Sequence, residues 1–394
     1  MTTNAITEAI EGGTVNFPRA EFDRRYERLR EELLGIDADA LLVTSEANFN
    51  YFTGYVAAHP WVSYSRNLIA ILPREELPAL VVPAFLADEA GDQSWIDRVY
   101  PSTEVGRAPI GTLTTAFQAL GLSKARIGAE LGYEQRLGMS LLDYQQLQDA
   151  LPDARFVDAA KAIWTLRMRK SPAEVDCVRE GCRITEVALG RLFAELRPSM
   201  TERDIARRLG ELLLAEGADR VDWIMMTSGR GQYHRTFGVP RDRRPEPGDM
   251  VWMDVSAVVN GYRADYDRAA VVGGPTSEQL ELQELVHMAT MAGIRAIRPG
   301  IPVGSIVEAV SESLVLAGLQ ALDSGRIGHG LGLQSTEPPD ISLHDPTILE
   351  QGMVITVEPA IIREHGIYQV EQNVVVTDTG SEILSRTSHE LRTI

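Results

Sequence analysis

The stretch that decides the fold is Met250–Arg268, MVWMDVSAVVNGYRADYDR, in the second half of the chain. Two apolar segments flank Asn260-Gly261, a dipeptide that favours the positive φ angles of a tight two-residue turn, so the stretch predicts a β-hairpin. Asp254 lies on the first segment and Asp265 on the second. Carboxylates are costly to bury in an apolar hairpin unless they share a proton, meet a basic partner or bind divalent cations. From this stretch alone, an exposed or turn-capping role explains them equally well.

Length and composition predict an acidic globular protein of two domains. The chain has 394 residues, 44% of them hydrophobic, and a formal net charge of -18. This length exceeds that of one ordinary domain. Because nucleic acids and anionic membranes require a basic surface, we expect neither of them as a partner.

Cysteine usage and the first residues predict a cytoplasmic protein. The two cysteines, Cys177 and Cys182, lie five residues apart in a predicted helix, a spacing that suits neither a disulfide framework nor a zinc knuckle. Residues 1–16 lack the basic and apolar regions of a secretory signal, and we assign them no role. No apolar run approaches the ~20 residues that span a bilayer.

Residues 1–162 are predicted to form a small α/β domain. A helix follows Pro18, with Phe22, Tyr26, Leu29 and Leu33 at helical spacing. Further helices are predicted near 110–120 and 139–150, and they alternate with short apolar strands. The predicted strands lie in ADALLVTS, LIAIL, ALVVPAF, IGAEL and ARFVDA.

An aromatic-rich stretch, residues 48–67, interrupts this pattern. Its many rings and few aliphatic side chains predict a surface loop packed by its own aromatics. His59, Tyr64 and Arg66 are grouped within it, and the Arg66 guanidinium could bind a carboxylate.

Residues 163–394 are predicted to form a second domain of the α+β class. Helices alternate there with hairpin-like apolar segments and lack the regular βαβ spacing of a doubly wound sheet. The predicted helices are 172–195, 201–216, 277–297 and 304–321, and the predicted hairpins are 248–273 and 352–378.

Three further motifs supply polar groups that could join the two aspartates. RIGHGLGL places His329 among glycines, GMVITVEPAII ends an apolar strand at Glu358, and GIYQVEQNVVVT embeds Glu371 among β-branched residues. A lone loop histidine is usually a solvated side chain. The combined set of four acids and one imidazole instead suits two adjacent divalent ions of the Mn, Co, Fe or Zn type, ~3.5 to 4 Å apart, which would acidify a bound water.

These motifs, in this order, resemble those of the creatinase, prolidase and methionine aminopeptidase superfamily, peptidase family M24. The match includes the eleven-residue spacing of the two aspartates, and LRMRKSPAEVDCVREGCRITE resembles the opening of the catalytic domain in two-domain members. The resemblance implies a pita-bread catalytic domain preceded by a smaller α/β domain. It also implies two divalent metal ions per subunit, with manganese first and cobalt, zinc or iron as alternatives.

The resemblance assigns roles to individual residues. The metal ligands would be Asp254, Asp265, His329, Glu358 and Glu371, with Asp265 and Glu371 bridging the ions and Glu358 accepting a proton from the attacking water. His234 is similar to a family histidine that contacts the substrate carbonyl or leaving group. Two-domain members are usually homodimers, so Arg66 or His59 would bind a substrate carboxylate in the partner subunit.

Two departures from the family pattern bear on the substrate. Thr336 stands where peptidases carry a second histidine, and it is expected to contact substrate by hydrogen bonding, although it cannot shuttle protons near neutral pH. Gln369 stands where an arginine is usual. The family's Xaa-Pro peptidases make an Xaa-Pro dipeptide or short peptide the first expectation. The alternatives are a non-peptide substrate, as in ectoine hydrolase or dimethylsulfoniopropionate lyase, and a non-catalytic binding protein.

Overall fold

The chain forms two compact units, and each has its own sheet and core. The computed structural model describes residues 17–56, 67–104, 106–321 and 324–394. The first unit ends at Arg167 and the second begins at Met168. The predicted boundary between 162 and 163 lies inside the helix Ala160–Arg167. His59, Tyr64 and Arg66 lie outside the described residues.

The first unit is built on a six-stranded mixed sheet of order β4-β3-β2-β1-β5-β6. Its strands are β1 (Ala40–Val43), β2 (Ile69–Pro73), β3 (Ala79–Pro83), β4 (Val99–Ser102), β5 (Arg126–Ala129) and β6 (Arg155–Asp158). Its helices are α1 (Arg19–Gly35), α2 (Glu46–Thr53), α3 (Ala87–Gln93), α4 (Ile110–Ala119), α5 (Leu141–Ala150) and α6 (Ala160–Arg167). The central strands β1, β2 and β3 are buried at every residue, which explains their uninterrupted apolar sequence.

The surface-loop prediction for residues 48–67 is wrong at its start. Residues 48–53 belong to α2, and Phe49, Tyr51 and Phe52 are buried. The Tyr51 and Phe52 rings meet edge to face, with centroids 4.9 Å apart. Aromatic side chains fill the core side of this short helix in place of aliphatic ones. A small number of aliphatic residues therefore does not indicate a surface loop here.

The second unit combines antiparallel sheets with long helices, as an α+β domain does. Its sheets have the orders β17-β9-β8-β7, β11-β10-β12-β15-β16 and β13-β14. The strands are β7 (Arg220–Ser228), β8 (Met250–Val259), β9 (Tyr262–Val271), β10 (His329–Gly330), β11 (Glu337–Asp340), β12 (Val354–Val357), β13 (Ala360–Arg363), β14 (Gly366–Gln369), β15 (Gln372–Val376), β16 (Ser381–Ile383) and β17 (Arg392–Thr393). The helices are α7 (Pro172–Glu195), α8 (Glu202–Ala215), α9 (Ser277–Ala296) and α10 (Gly304–Leu316).

Local sequence explains where these helices begin and end. Capping boxes at Ser171, Thr201 and Thr276 satisfy the first backbone amides of α7, α8 and α9. The fourth helix ends at Leu316, short of the predicted residue 321, because the chain turns at Gly318, which has a φ of 72°.

The central hairpin is confirmed, with β8 and β9 joined by Asn260 and Gly261 at φ angles of 51° and 84°. Its register sets Asp254 opposite Asp267 and Ser256 opposite Asp265. Because residues directly opposite one another and residues two apart share a face, these four side chains lie on one side of the hairpin.

The second predicted hairpin, residues 352–378, is two nested pairs. Strand β12 pairs with β15, and β13 and β14 form a separate two-stranded ribbon between them. The β12–β15 register ends at Val357 opposite Gln372, so Glu358 and Glu371 are adjacent at the point where the pairing stops. Glu358 thus directly follows β12, and Glu371 directly precedes β15.

The core of the second unit lies between the strands and the helices α9 and α10. It includes Trp252, Val271, Val286, Ile306 and Ile355, all nearly inaccessible to solvent. On α7, Cys177 and Cys182 are buried. Across the part of the chain that is described, helices long and apolar enough to cross a membrane are absent.

Candidate active site

The predicted ligands converge on the shared face of the β8–β9 hairpin. Asp265, His329 and Glu371 each place one ligand atom within 4.8 Å of the others. Glu371 belongs to a second group with Glu358 and Asp267, under the same distance limit. Two ligand groups thus share one glutamate, an arrangement suited to a bridging carboxylate.

Asp254 joins the cluster beside Asp265. Its Oδ1 accepts a hydrogen bond of 2.7 Å from the indole Nε1 of Trp223 on β7. Burial, followed by the nearby charge of Glu358, raises the pKa of Asp254 to about 7. Burial together with the carboxyl groups of Asp254 and Glu358 also raises the pKa of Asp265. The hairpin therefore holds carboxyl groups at positions where negative charge is unfavourable without a counter-cation.

His329 presents its Nε2 atom to the acids. Its Nδ1 lies 3.0 Å from the carbonyl oxygen of Gly330, which can only accept, so Nδ1 carries the hydrogen. The opposite nitrogen, Nε2, lies 3.2 Å from Glu358 Oε1 and 3.8 Å from Asp265 Oδ2. A hydrogen bond from the imidazole to a backbone carbonyl oxygen fixes the tautomer and orientation of a metal-binding histidine.

Close backbone packing requires glycine beside this histidine. A Cβ at Gly330 would lie 2.2 Å from the carbonyl oxygen of Pro338 on β11, and one at Gly332 would lie 2.8 Å from Glu337 Oε2. The glycines of this loop therefore allow β10 to approach β11 and bring His329 into the site.

Within this cluster, Glu358 is the acid whose charged form is favoured. It accepts hydrogen bonds of 3.0 Å from Thr356 Oγ1 and from Gln369 Nε2. Burial acts to raise its pKa, but the contacts with His329 and Thr356 outweigh burial and the pKa is lowered. With a side chain 20% exposed, Glu358 is a carboxylate that faces the adjoining cavity.

A cavity of about 490 Å³ opens over this cluster, a size suited to a small substrate. Its described walls combine apolar and aromatic side chains with a few hydroxyl and amide groups and one arginine. The lining residues are Trp223, Met225, Thr236, Phe237, Trp252, Asp254, Asp265, Ser324, Arg326, Ile327, Gly328, His329, Ser335, Thr336, Glu358, Pro359, Ala360 and Gln369.

The structure does not bring His234 into this cavity. His234 is exposed, whereas the preceding Tyr233 is buried and donates a 2.9 Å hydrogen bond to the carbonyl oxygen of Met250. The same loop presents Thr236 and Phe237 to the cavity, and Phe237 is 86% exposed. The contact of His234 with a substrate carbonyl stays a prediction.

Thr336 and Gln369 line the cavity, and the contact of Thr336 with substrate stays a prediction. Thr336 Oγ1 accepts a 3.4 Å hydrogen bond from Arg326, and Gln369 holds Glu358 as described above. His59 and Arg66, the other predicted substrate contacts, lie outside the described residues.

Three further residues of the site are not predicted from the sequence. Arg326 is the only lysine or arginine among the described residues that line the cavity, and its guanidinium also pairs with Asp340. The indole of Trp223 orients Asp254. Asp267 lies two residues after Asp265, and strand periodicity alone places it on the same face. Only Asp267 had a signal in the sequence.

Comparison with known proteins places the chain in a family. Residues 176–378 match the profile of metallopeptidase family M24, and residues 25–169 match that of the creatinase/prolidase N-terminal domain. The chain belongs to metallopeptidase family M24. It is therefore a metal-dependent hydrolase, as the motifs indicated. A creatinase-type domain comes first in the sequence and a pita-bread domain follows it.

Individual relatives agree with this assignment. An Xaa-Pro dipeptidase of Pyrococcus furiosus is 30% identical over 262 residues, which cover 66% of this chain and 75% of that protein. An uncharacterized peptidase of Bacillus subtilis, YqhT, is 28% identical over 93% of this chain and 99% of its own length. The crystal structure of the dipeptidase PepE from Mycobacterium ulcerans has a TM-score of 0.83 at 26% identity, covering 96% of this chain and 99% of that one.

The residues present fit the divalent metal that this family requires. The cluster supplies oxygen donors and one imidazole nitrogen, the chemistry preferred by Mn²⁺, Co²⁺, Fe²⁺ or Zn²⁺. Both carboxylate oxygens of the buried Asp267 lack a hydrogen-bond partner among the described residues. A buried acid of this kind needs a cation or a proton.

Proposed function

We propose that this protein is a dinuclear metallohydrolase that cleaves an amide bond in a small substrate, with Xaa-Pro dipeptides or short peptides as the first class. The observation that carries the proposal is the membership of Glu371 in two ligand groups, which lets one carboxylate serve two ions. Asp254, Asp265, His329, Glu358 and Glu371 would hold the metal. Manganese suits this oxygen-rich set best, and cobalt, zinc and iron are compatible with it.

Divalent ions held here would supply Lewis-acid polarisation of the substrate carbonyl and would acidify a water molecule. The chain's own contribution is proton transfer and orientation. Glu358 is charged, faces the cavity and is fixed by Thr356 and Gln369, so it can accept a proton from the attacking water and pass it to the leaving nitrogen.

Substrate orientation is proposed to depend on Arg326. A dipeptide ends in a carboxylate, and a guanidinium binds carboxylates through paired charge-assisted hydrogen bonds. Arg326 lies on the cavity wall, with a side chain 35% exposed, and contacts Thr336. Arg326 and Thr336 together would fix the carboxyl end of the substrate while the susceptible amide lies over the acids.

The test is proline release from a panel of Xaa-Pro dipeptides by Mn²⁺-loaded protein of verified metal content. Turnover that Asp265→Ala abolishes would support the proposal. Metal-loaded protein that hydrolyses none of the panel would contradict the peptide substrate and leave the second candidate.

The second candidate is a small non-peptide substrate, such as a cyclic amide or amidine. It is favoured by the cavity wall, which carries Phe237, Thr336 and Gln369 and has His329 as its only imidazole among the described lining residues. Apart from the proposed metal ligands, the described wall has no carboxyl or imidazole group, which suits a substrate whose leaving group needs no second proton donor. Ring opening of cyclic amides by the loaded protein, followed by mass spectrometry, separates the two candidates.

The resemblance to two-domain relatives also leads us to propose a cytoplasmic homodimer. A dimer would have twice the 43.4 kDa mass of the chain. Light scattering after size-exclusion chromatography would give that mass, whereas a value near 43.4 kDa would contradict the dimer.

A further inference from the structure

We propose that Asp267 is a sixth protein ligand of the metal centre, acting in the group with Glu358 and Glu371. This inference rests on the metal centre proposed above. It adds one carboxylate to the five ligands that the family motifs indicate.

The first observation is that Asp267 is buried without compensation. Its side chain is inaccessible to solvent, and neither carboxylate oxygen has a hydrogen-bond partner within the described part of the chain. Buried polar groups in folded proteins are almost always hydrogen-bonded, and an unpaired carboxylate is among the costliest to bury. The side chain therefore points to a ligand.

The neighbouring arginine does not meet this need. Arg268 is buried, but its Nη1 donates to the backbone carbonyl oxygens of Asp267 at 2.6 Å and of Glu371 at 3.0 Å. Its Nη2 donates to the carbonyl oxygen of Thr387 at 3.1 Å. The guanidinium thus fixes the backbone of β9 and of the segment before β15. These hydrogen bonds do not involve the carboxylate of Asp267.

The second observation is the position of Asp267 among ligand atoms. It lies opposite Asp254 in the hairpin register and shares a face with Asp265. One of its oxygens lies within 4.8 Å of ligand atoms of both Glu358 and Glu371. Two donors that each lie ~2.2 Å from one ion are at most ~4.4 Å apart, so small side-chain rotations bring all three to a common cation.

The added carboxylate has a consequence for metal choice. Asp254, Asp265, Asp267, Glu358 and Glu371 are five carboxylates, one negative charge more than two divalent ions neutralise. Extra oxygen donors favour hard ions of high coordination number over Zn²⁺, which is satisfied by four ligands. Asp267 should therefore contribute more to Mn²⁺ affinity than to Zn²⁺ affinity.

The test is titration calorimetry of the full, chelator-stripped chain with Mn²⁺ and separately with Zn²⁺. Wild type is compared with Asp267→Asn and, should that variant fold poorly, with Asp267→Ser. Asp222→Asn serves as the control, because Asp222 lies on the neighbouring strand β7 but pairs with Arg263 outside the cluster. Thermal unfolding of each metal-free variant is recorded alongside.

We expect the Asp267 variants to lose at least about tenfold in Mn²⁺ affinity, as for changes around other metal sites. Their Zn²⁺ affinity should fall less, and metal-free Asp267→Asn should unfold at a higher temperature than wild type. A structural role alone would lower that temperature. Wild-type protein that binds neither ion would overturn the proposed metal centre, whereas normal wild-type binding with unchanged affinity in both variants would overturn only the role of Asp267.

Discussion

At the scale of single residues, the site is a set of charges that the metal-free protein cannot easily satisfy. Burial raises the pKa of Asp254, Asp265 and Glu371, and neighbouring acids raise them further. Glu358 differs because His329 and Thr356 favour its charged form. Among the proposed metal ligands, this difference favours Glu358 as the one that also accepts a proton.

Protonation of Asp254 should stabilise the metal-free protein. The pKa of Asp254 rises from 3.8 to about 7 on folding, so between these values the folded state keeps a proton that the unfolded state has lost. The contribution of Asp254 to the free energy of unfolding is therefore fully present below pH 3.8 and falls as the pH rises towards 7. The urea midpoint of chelator-stripped wild type, measured relative to that of Asp254→Asn across this range, should decrease with pH. A difference between the two proteins that stays constant or rises over the same range would contradict the burial of this acid.

Removing the cavity guanidinium should impair binding of substrates with a free carboxylate. A hydrogen bond to a charged group contributes about 1.5–3 kcal/mol, so Arg326→Met should raise KM for an Xaa-Pro dipeptide roughly 10- to 100-fold. The matching dipeptide amide, which lacks the carboxylate, serves as the control substrate. Its KM should rise much less in the same variant. Equal losses for the acid and the amide would contradict a direct contact between Arg326 and the substrate carboxylate.

At the scale of secondary-structure elements, a buried ion pair fixes the loop that carries His329 and Thr336. Lys170 Nζ lies 2.9 Å from Glu337 Oε2, and both side chains are 1% exposed. Glu337 begins β11, which pairs with β10, while Lys170 precedes α7. The pair thus ties the histidine loop to the start of the longest described helix.

Breaking this pair should destabilise the second unit. Loss of one partner of a buried pair costs about 3–5 kcal/mol, because it leaves an uncompensated charge. Lys170→Met should lower the free energy of unfolding by about that amount, and Lys170→Met/Glu337→Met should recover much of it. Urea denaturation of both variants measures the difference, and a double variant no more stable than the single one would refute the explanation.

Sequence alone predicts the elements whose signals are local. The hairpin follows from Asn260-Gly261 with its flanking apolar strands, and α7 begins at a capping box that is visible as Ser171–Glu174. The aromatic helix α2 was missed, because its pattern lacks aliphatic residues. The site residues Arg326 and Trp223 were missed for another reason. Their roles depend on contacts between distant strands and loops, which residue spacing does not reveal.

At the scale of the whole molecule, the described ligands all belong to the unit that begins at Met168. Metal binding should therefore stabilise this unit directly, since a ligand that binds only the folded state shifts its opening equilibrium. We expect Mn²⁺ to slow amide hydrogen exchange in β8, β9, β12 and β15. Exchange in β1 to β6 should change little, and equal protection of both units would contradict a metal centre confined to the second.

The most direct test of the central claim is a crystal structure of the Mn²⁺-loaded protein with anomalous data collected near the manganese edge. We predict two manganese peaks ~3.5 to 4 Å apart over the β8–β9 hairpin. Glu371 and Asp265 should contact both ions, and Nε2 of His329 should contact one. A single peak would contradict the dinuclear centre, and two peaks without a shared carboxylate would contradict the bridging roles of Glu371 and Asp265.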